Sequence, residues 1–290
     1  MSAPATAPHE PLDAAMVWGV WRRILREPAL GRSLFEPELA ARASELGLSP
    51  PQLAAALAYA ATPHRTRWFI ENYRFRLVSS FQHALETGAP MTARALTALG
   101  HDLRTLGASH LDATGWADHG PYVYTFCAEI LEALLGAPLT AELPGLRDLI
   151  RLEAGSVALV RRLGQVPRDR WWTPSPLDGA DLASATLHRT GHAAVVTTEH
   201  VLVPWLRDPA QLGRHPLEPG VQHLLIYLTS PSAGYKLAGI PARGAWLYEA
   251  LSEPRSLAEL RASTSAASGP DDLAIVARLC RYGAIAPSTR

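Results

Sequence analysis

The residues best suited to chemistry in this sequence are its eleven histidines, its two cysteines and one carboxylate set among apolar neighbours. His188 and His192 stand four apart, a spacing that on a helix would turn two imidazoles to one face for a metal ion. Thr190-Gly191 lies between them at the entrance to a strand-like run, and no carboxylate or thiol follows at ligand spacing. They therefore read as loop or strand histidines rather than as a metal site. His101, His110 and His119 lack companions in the same way. Cys127 and Cys280 fall within apolar helical patterns and read as small buried thiols, not as a disulfide or a metal clip, which fits a reducing compartment. A glycine-rich phosphate loop, a paired CxxC, a nucleophile elbow and an HExxH run are all missing from the sequence.

Glu153 is the carboxylate that stands out, because it shares a helical stripe with Leu149, Ile150 and Val157 and is expected to be buried. A buried carboxylate needs a partner. It serves either as a general acid or base, or as one half of an ion pair with an arginine from the helix bearing Asn72-Tyr73-Arg74. The ion pair is the expectation, since buried charges are normally paired. Tyr73, Arg74 and Glu153 are accordingly read as structural.

These side chains need elements to carry them. Val17, Val20, Trp21, Ile24 and Leu25 recur at helical spacing until Pro28 stops the run. Glu36-Pro37 opens a second helix that Gly47 closes. Ser49-Pro50-Pro51-Gln52 combines an N-cap serine, prolines at the helix start and a capping-box glutamine. Thr62-Pro63 begins a long helix on which Phe69, Tyr73, Leu77 and Phe81 stack, up to Gly88 and Pro90. Another is expected over 92–106, a clearly amphipathic one from Pro121 to Gly136, and a last one from Pro144 through Val160. Pro167, Pro174, Pro176 and the pair Trp171-Trp172 then interrupt all periodicity. Beyond them the signal turns to strands over 192–203, 221–229 and 235–240, followed by helices over 241–251, 256–262 and 270–282.

The expected fold class is α+β: an N-terminal α-helical bundle followed by a small winged-helix-like α/β module. The expected organisation is a disordered tail over 1–11, a helical domain over 12–165, a Pro/Trp linker over 166–180 and the module over 181–290. The final helix carries two apolar stripes, Leu273, Val276, Ala277 and Cys280, and beside them Ile275, Leu279 and Tyr282. One stripe suffices for a core. The second either adds burial or lines a groove.

The chain has 27 basic and 27 acidic residues, so it lacks the one-sided basic field that nucleic acids favour. Asp271 and Asp272 begin the final helix, where a DNA-reading helix would carry base-contacting polar groups, and only Arg278 and Arg281 are basic there. A peptide is therefore a better ligand than a duplex; a winged-helix DNA-binding regulator is the alternative, and a stand-alone metalloenzyme using the histidines a third reading. No run of 18 apolar residues and no targeting segment is present, so a cytoplasmic protein is expected.

Two stretches resemble known proteins. Glu71-Asn72-Tyr73-Arg74 to Phe81, and Leu143-Pro144-Gly145-Leu146 leading to Leu152-Glu153-Ala154, resemble the N-terminal helical region of the partner subunits of multinuclear non-heme iron oxidases, the MbnC, TglI and HvfC types. Tyr235-Lys236-Leu237, then 244–251, 256–260 and a last helix to Gly283, are similar to the PqqD-like peptide-recognition (RRE) fold. The first sixty residues resemble nothing. The resemblance implies a non-catalytic subunit that pairs with a TIM-barrel iron oxidase and presents to it a ribosomally made precursor peptide for oxidative modification, often at cysteine. It also implies that the iron belongs to the partner, so that no cofactor is expected in this chain; the balanced charge and the lack of a long apolar run add the expectation of no nucleic acid and no membrane.

On this reading the leader of the precursor adds as a strand along 235–240. Tyr235, Lys236, Leu237 and Ala238 supply the edge, and Ile275, Leu279 and Tyr282 the wall that receives alternate side chains. Trp171 and Trp172 are then expected at the interface with the oxidase.

Overall fold

The computed structural model of the chain describes residues 13–167, 179–213, 217–228, 234–262 and 271–288. It is a mixed α+β structure. Its helical first part runs through α1 (Ala14–Arg26), α2 (Pro28–Ser33), α3 (Pro50–Ala60), α4 (Pro63–Gly88), α5 (Pro90–Ala98), α6 (Leu103–Thr114), α7 (Val123–Gly136) and α8 (Leu146–Gly164). Then follow α9 (Gly179–Ser184), β1 (Thr186–Arg189), β2 (Ala193–His200), α10 (Val203–Arg207), β3 (Pro219–Tyr227), β4 (Lys236–Ile240), α11 (Ala242–Ala250), β5 (Arg255–Ser256), α12 (Leu257–Ala262), α13 (Asp272–Arg281) and β6 (Ile285–Pro287).

Local signals explain most boundaries. Ser49 and Gln52 form the capping box of α3, with the Gln52 side chain accepting the Ser49 N–H at 2.9 Å. The segment expected as a helix between Glu36 and Gly47 is instead a series of turns. Its bonds alternate between three-residue (Leu39 N–H to Glu36 O, 3.2 Å) and four-residue reach (Arg42 N–H to Glu38 O, 3.0 Å), so no continuous ladder forms. The helix expected over 92–106 is two, because Gly100 takes a positive φ of 86° and the His101 N–H turns back to the Leu96 carbonyl at 3.0 Å.

Two compact units divide the chain, residues 1–82 with 103–120, and 83–102 with 121–290. The division does not run through the Pro/Trp segment expected to separate helices from strands; most of that segment, like the tail over 1–11, lies outside the described residues. In the first unit α1, α2 and α3 close over Val20, Ile24, Leu30, Leu34, Ala56 and Ile70. Tyr73 donates its hydroxyl to the Trp116 carbonyl at 2.9 Å, and Gly107 lets α6 lie directly on Phe81.

In the second unit, β2, β3 and β4 form an antiparallel sheet in that order, with β4 at one edge. The register pairs Val195 with Leu225 and Leu225 with Ala238, so these side chains share one face of the sheet; Val196, Leu224 and Ile226 stand on the other. Both faces are covered. Helix α8 lies on the Val196 and Ile226 face, where Gly155 leaves no side chain between helix and sheet. Leu247 and Tyr248 of α11 and Val276 and Leu279 of α13 join Ala193, Leu225 and Ile240 in the core of the opposite face. A helix expected in the front bundle is thus one layer of the sheet unit, since its buried residues reach round it from Leu146 to Leu163. A second antiparallel sheet of short strands, β5-β1-β6, was not expected; strands of two to four residues carry too little alternation to read.

Between Thr198 and His200 the β2–β3 register shifts, with the extra residue on β3, and two N–H groups of β2 turn to a side chain. The Asp148 carboxylate in the first turn of α8 accepts both, from Glu199 at 2.9 Å and His200 at 3.0 Å.

Candidate functional site

The edge of β4 runs beside α13, and two cavities that share Arg278 lie along them as a groove in two parts. At one end a cleft of about 170 Å³ is lined by Ile240, Pro241, Ala274, Ile275, Arg278 and Leu279. At the other, Tyr227, Lys236, Arg278, Arg281 and Tyr282 line a cavity of about 360 Å³. Gly244 on α11 lets Ile275 pack close, since a Cβ there would stand 3.2 Å from the Ile275 side chain.

The Tyr227 and Tyr282 rings pack at a tilt, with centroids 4.7 Å apart and planes at 33°. Arg278 lies over the Tyr282 ring, donates from Nε to its hydroxyl at 3.0 Å and reaches the Gly239 carbonyl at 3.4 Å. Burial, reinforced by Tyr282 and opposed by Arg278, raises the Tyr227 phenol above its ordinary range. Arg243, the second residue of α11, grips the Asp272 carboxylate at 2.9 and 2.8 Å; this holds Asp272 below the usual carboxylate range and fixes the start of α13.

The residues expected to contact a peptide divide between the two faces of the sheet. Lys236 and Ala238 face α13, where Ile275 and Tyr282 are half-buried. Leu279 contributes to the cleft but is 1% exposed, so it is a core residue first. Tyr235 and Leu237 point the other way, toward α8, because alternation fixes them opposite Lys236 and Ala238. The Tyr235 phenol lies beside Glu153 and hydrogen-bonds with Ser156; burial first and the neighbouring Glu153 second push it up to about 12. Ile240 ends the strand expected to receive the leader, whereas Arg278, Arg281 and Tyr227 were not expected at the site. Tyr227 had one legible signal, its place on the same strand face as Leu225.

Glu153 is buried as expected, with different partners from those expected. Its carboxylate accepts the backbone N–H groups of Met91 at 2.9 Å and Thr92 at 2.7 Å, so it caps the start of α5 rather than pairing with an arginine. Pro90 at the helix start has no N–H to offer, which leaves the next two donors for one carboxylate. Burial nevertheless pushes Glu153 up to about 7, against the hydrogen bonds from Thr92 and Met91. Cys127 nearby is pushed up to about 12, by burial first and by Glu153 second, which makes it an inert thiol.

Arg74, expected to be Glu153's partner, lies over the Trp116 ring at 4.9 Å and lines a cavity with Arg32 and Arg67. Its Nε and one terminal nitrogen are buried without a hydrogen-bond partner among the described residues, and desolvation lowers its pKa. Trp171 and Trp172 lie outside the described residues. Among the described residues no group of three or more His, Cys, Asp or Glu side chains is arranged to hold a metal ion.

No family model matches the chain, and no curated protein matches it significantly. No helix among the described residues is long and apolar enough to cross a membrane.

Proposed function

We propose that the chain is a non-catalytic partner subunit in the biosynthesis of a ribosomally made, post-translationally modified peptide. It binds the leader of the precursor along the free edge of β4 and presents the core to a TIM-barrel multinuclear iron oxidase in the cytoplasm. The iron resides in that partner. The β2-β3-β4 sheet followed by α11, α12 and α13 then acts as a winged-helix-like recognition module.

The observation that carries the reading is the groove. An edge strand offers alternate unpaired N–H and C=O groups, and β4 is such an edge among the described residues. Beside it lie an apolar cleft and a cationic, aromatic cavity, so main-chain bonding and side-chain selection are available along one line. The exposed Asp271 at the start of α13 disfavours the rival reading, a DNA-binding regulator, because it would face phosphates at the helix end that enters the groove of a duplex.

Co-expression with a genomically adjacent iron-oxidase barrel, followed by size exclusion, tests the assembly. A co-eluting complex is expected, and separate elution counts against the reading. Fluorescence anisotropy with the labelled leader tests recognition. Ile275→Asp is the informative variant, because Ile275 is half-buried at the cleft whereas Leu279 is in the core. Loss of leader binding with an unchanged melting curve is expected; unchanged binding removes the groove from the mechanism.

A further inference from the structure

Taking the groove as a peptide site, we infer that it selects a segment carrying one large apolar side chain and one carboxylate four positions apart, the first seated at Ile240, Ile275 and Leu279 and the second at Lys236, Arg278 and Arg281.

The spacing comes from the strand. Lys236 and Ile240 stand on the same face of β4, separated by four residues, which in an extended chain is about 13 Å. A segment added beside β4 shares its pleat, so its alternate side chains project over the face that α13 covers. The position level with Ile240 meets the cleft walled by Pro241, Ala274 and Ile275. The position four residues along meets the cavity at Lys236. Between them lies Ala238, whose small side chain leaves room for an intermediate residue.

The charge comes from what lines the cavity. Lys236, Arg278 and Arg281 bring three cations to it, and no Asp or Glu lines it among the described residues. Among the described residues Arg278 is bonded there only to neutral acceptors, the Tyr282 hydroxyl and the Gly239 carbonyl. Cations gathered over an aromatic pair without a carboxylate set the potential for an anionic side chain, and a guanidinium can grip it with two parallel bonds.

Arg278 couples the two forms of recognition. Its contact with Gly239 is long at 3.4 Å, close to the limit for a hydrogen bond, and an incoming backbone N–H replaces it readily. The displaced guanidinium keeps its 3.0 Å bond to Tyr282 and turns toward the carboxylate. Strand addition thereby frees the group that reads the acid.

Selection of a random peptide library displayed on phage against the full chain tests this. The expected enriched set carries an apolar residue and an Asp or Glu four apart, in the order that strand direction dictates. Lys236 and Arg281 are exposed, so the double variant Lys236→Glu/Arg281→Glu keeps the fold, which a melting curve verifies. Selection on it should lose the acidic position or replace it by Lys or Arg. For one enriched peptide, changing its acid to the amide should weaken binding to the parent by about tenfold and to the double variant by less than about twofold.

Enrichment without the acidic position, or an acidic preference that survives in the double variant, overturns the motif and leaves the groove standing. Selection that yields nothing, or peptides whose binding ignores Ile275→Asp, overturns the groove itself and the motif with it.

Discussion

Glu153 Oε2 accepts the Thr92 N–H at 2.7 Å, so the carboxylate of α8 serves as the cap of α5. Its pKa of about 7 lies above the ordinary value of 4.5, and the fold therefore holds a proton through a range in which the unfolded chain has lost it. The stabilisation is fully present below the unfolded value and is lost as pH rises through about 7. Glu153→Gln should flatten that dependence, by about 3 kcal/mol across the window. Urea midpoints of parent and variant at a series of pH values provide the check; parallel curves would remove Glu153 as the titrating group.

Asp148→Ala should cost on the order of 3 kcal/mol, because it leaves the Glu199 and His200 N–H groups of β2 unpaired. Asp148→Asn retains one acceptor oxygen and should cost less. Denaturant unfolding of the pair measures the order of the two.

Arg74→Met should leave stability within about 1 kcal/mol of the parent, and a rise is the favoured direction, since it removes a desolvated charge without orphaning a partner. Methionine also packs on Trp116 in place of the guanidinium. A fall of several degrees in melting temperature would mean that Arg74 is satisfied in solution.

Gly155→Leu should destabilise by about 1–3 kcal/mol, because even a Cβ there would stand 2.9 Å from the Ile226 and Val196 side chains. Gly155→Ala should cost less than Gly155→Leu, the gain of about 1 kcal/mol in helix propensity partly offsetting the 2.9 Å crowding against Ile226 and the stiff, β-branched Val196. Thermal melts of both variants separate the two effects.

Long periodic elements and strong caps were legible in the sequence. The capping box at Ser49 and Gln52, the extent of α4 and the strands β2, β3 and β4 follow from signals within a dozen residues. What depends on distant partners was not. Glu153 reads as a charge needing a countercharge, whereas two backbone donors at Met91 and Thr92 serve it, and no side chain there announces them. The groove was half legible: period two sorts Lys236 from Leu237 but does not say which set faces α13. Leu279 and Ile275 lie four apart on one stripe, yet one is core and the other half-buried, a distinction that rests on the slant of α13 against β4.

The sheet sandwiched between α8 and the α11/α13 pair bears on inheritance as well as on stability. A recombination event that transferred only residues 181–290 to another gene would carry Leu224 and Ile226 without the helix that lies over them. The exposed face would make such a fragment sticky and prone to proteolysis. The smallest portable piece must include α8 with the α5 and α7 helices packed on it, so lineages sharing this sheet should share those helices too.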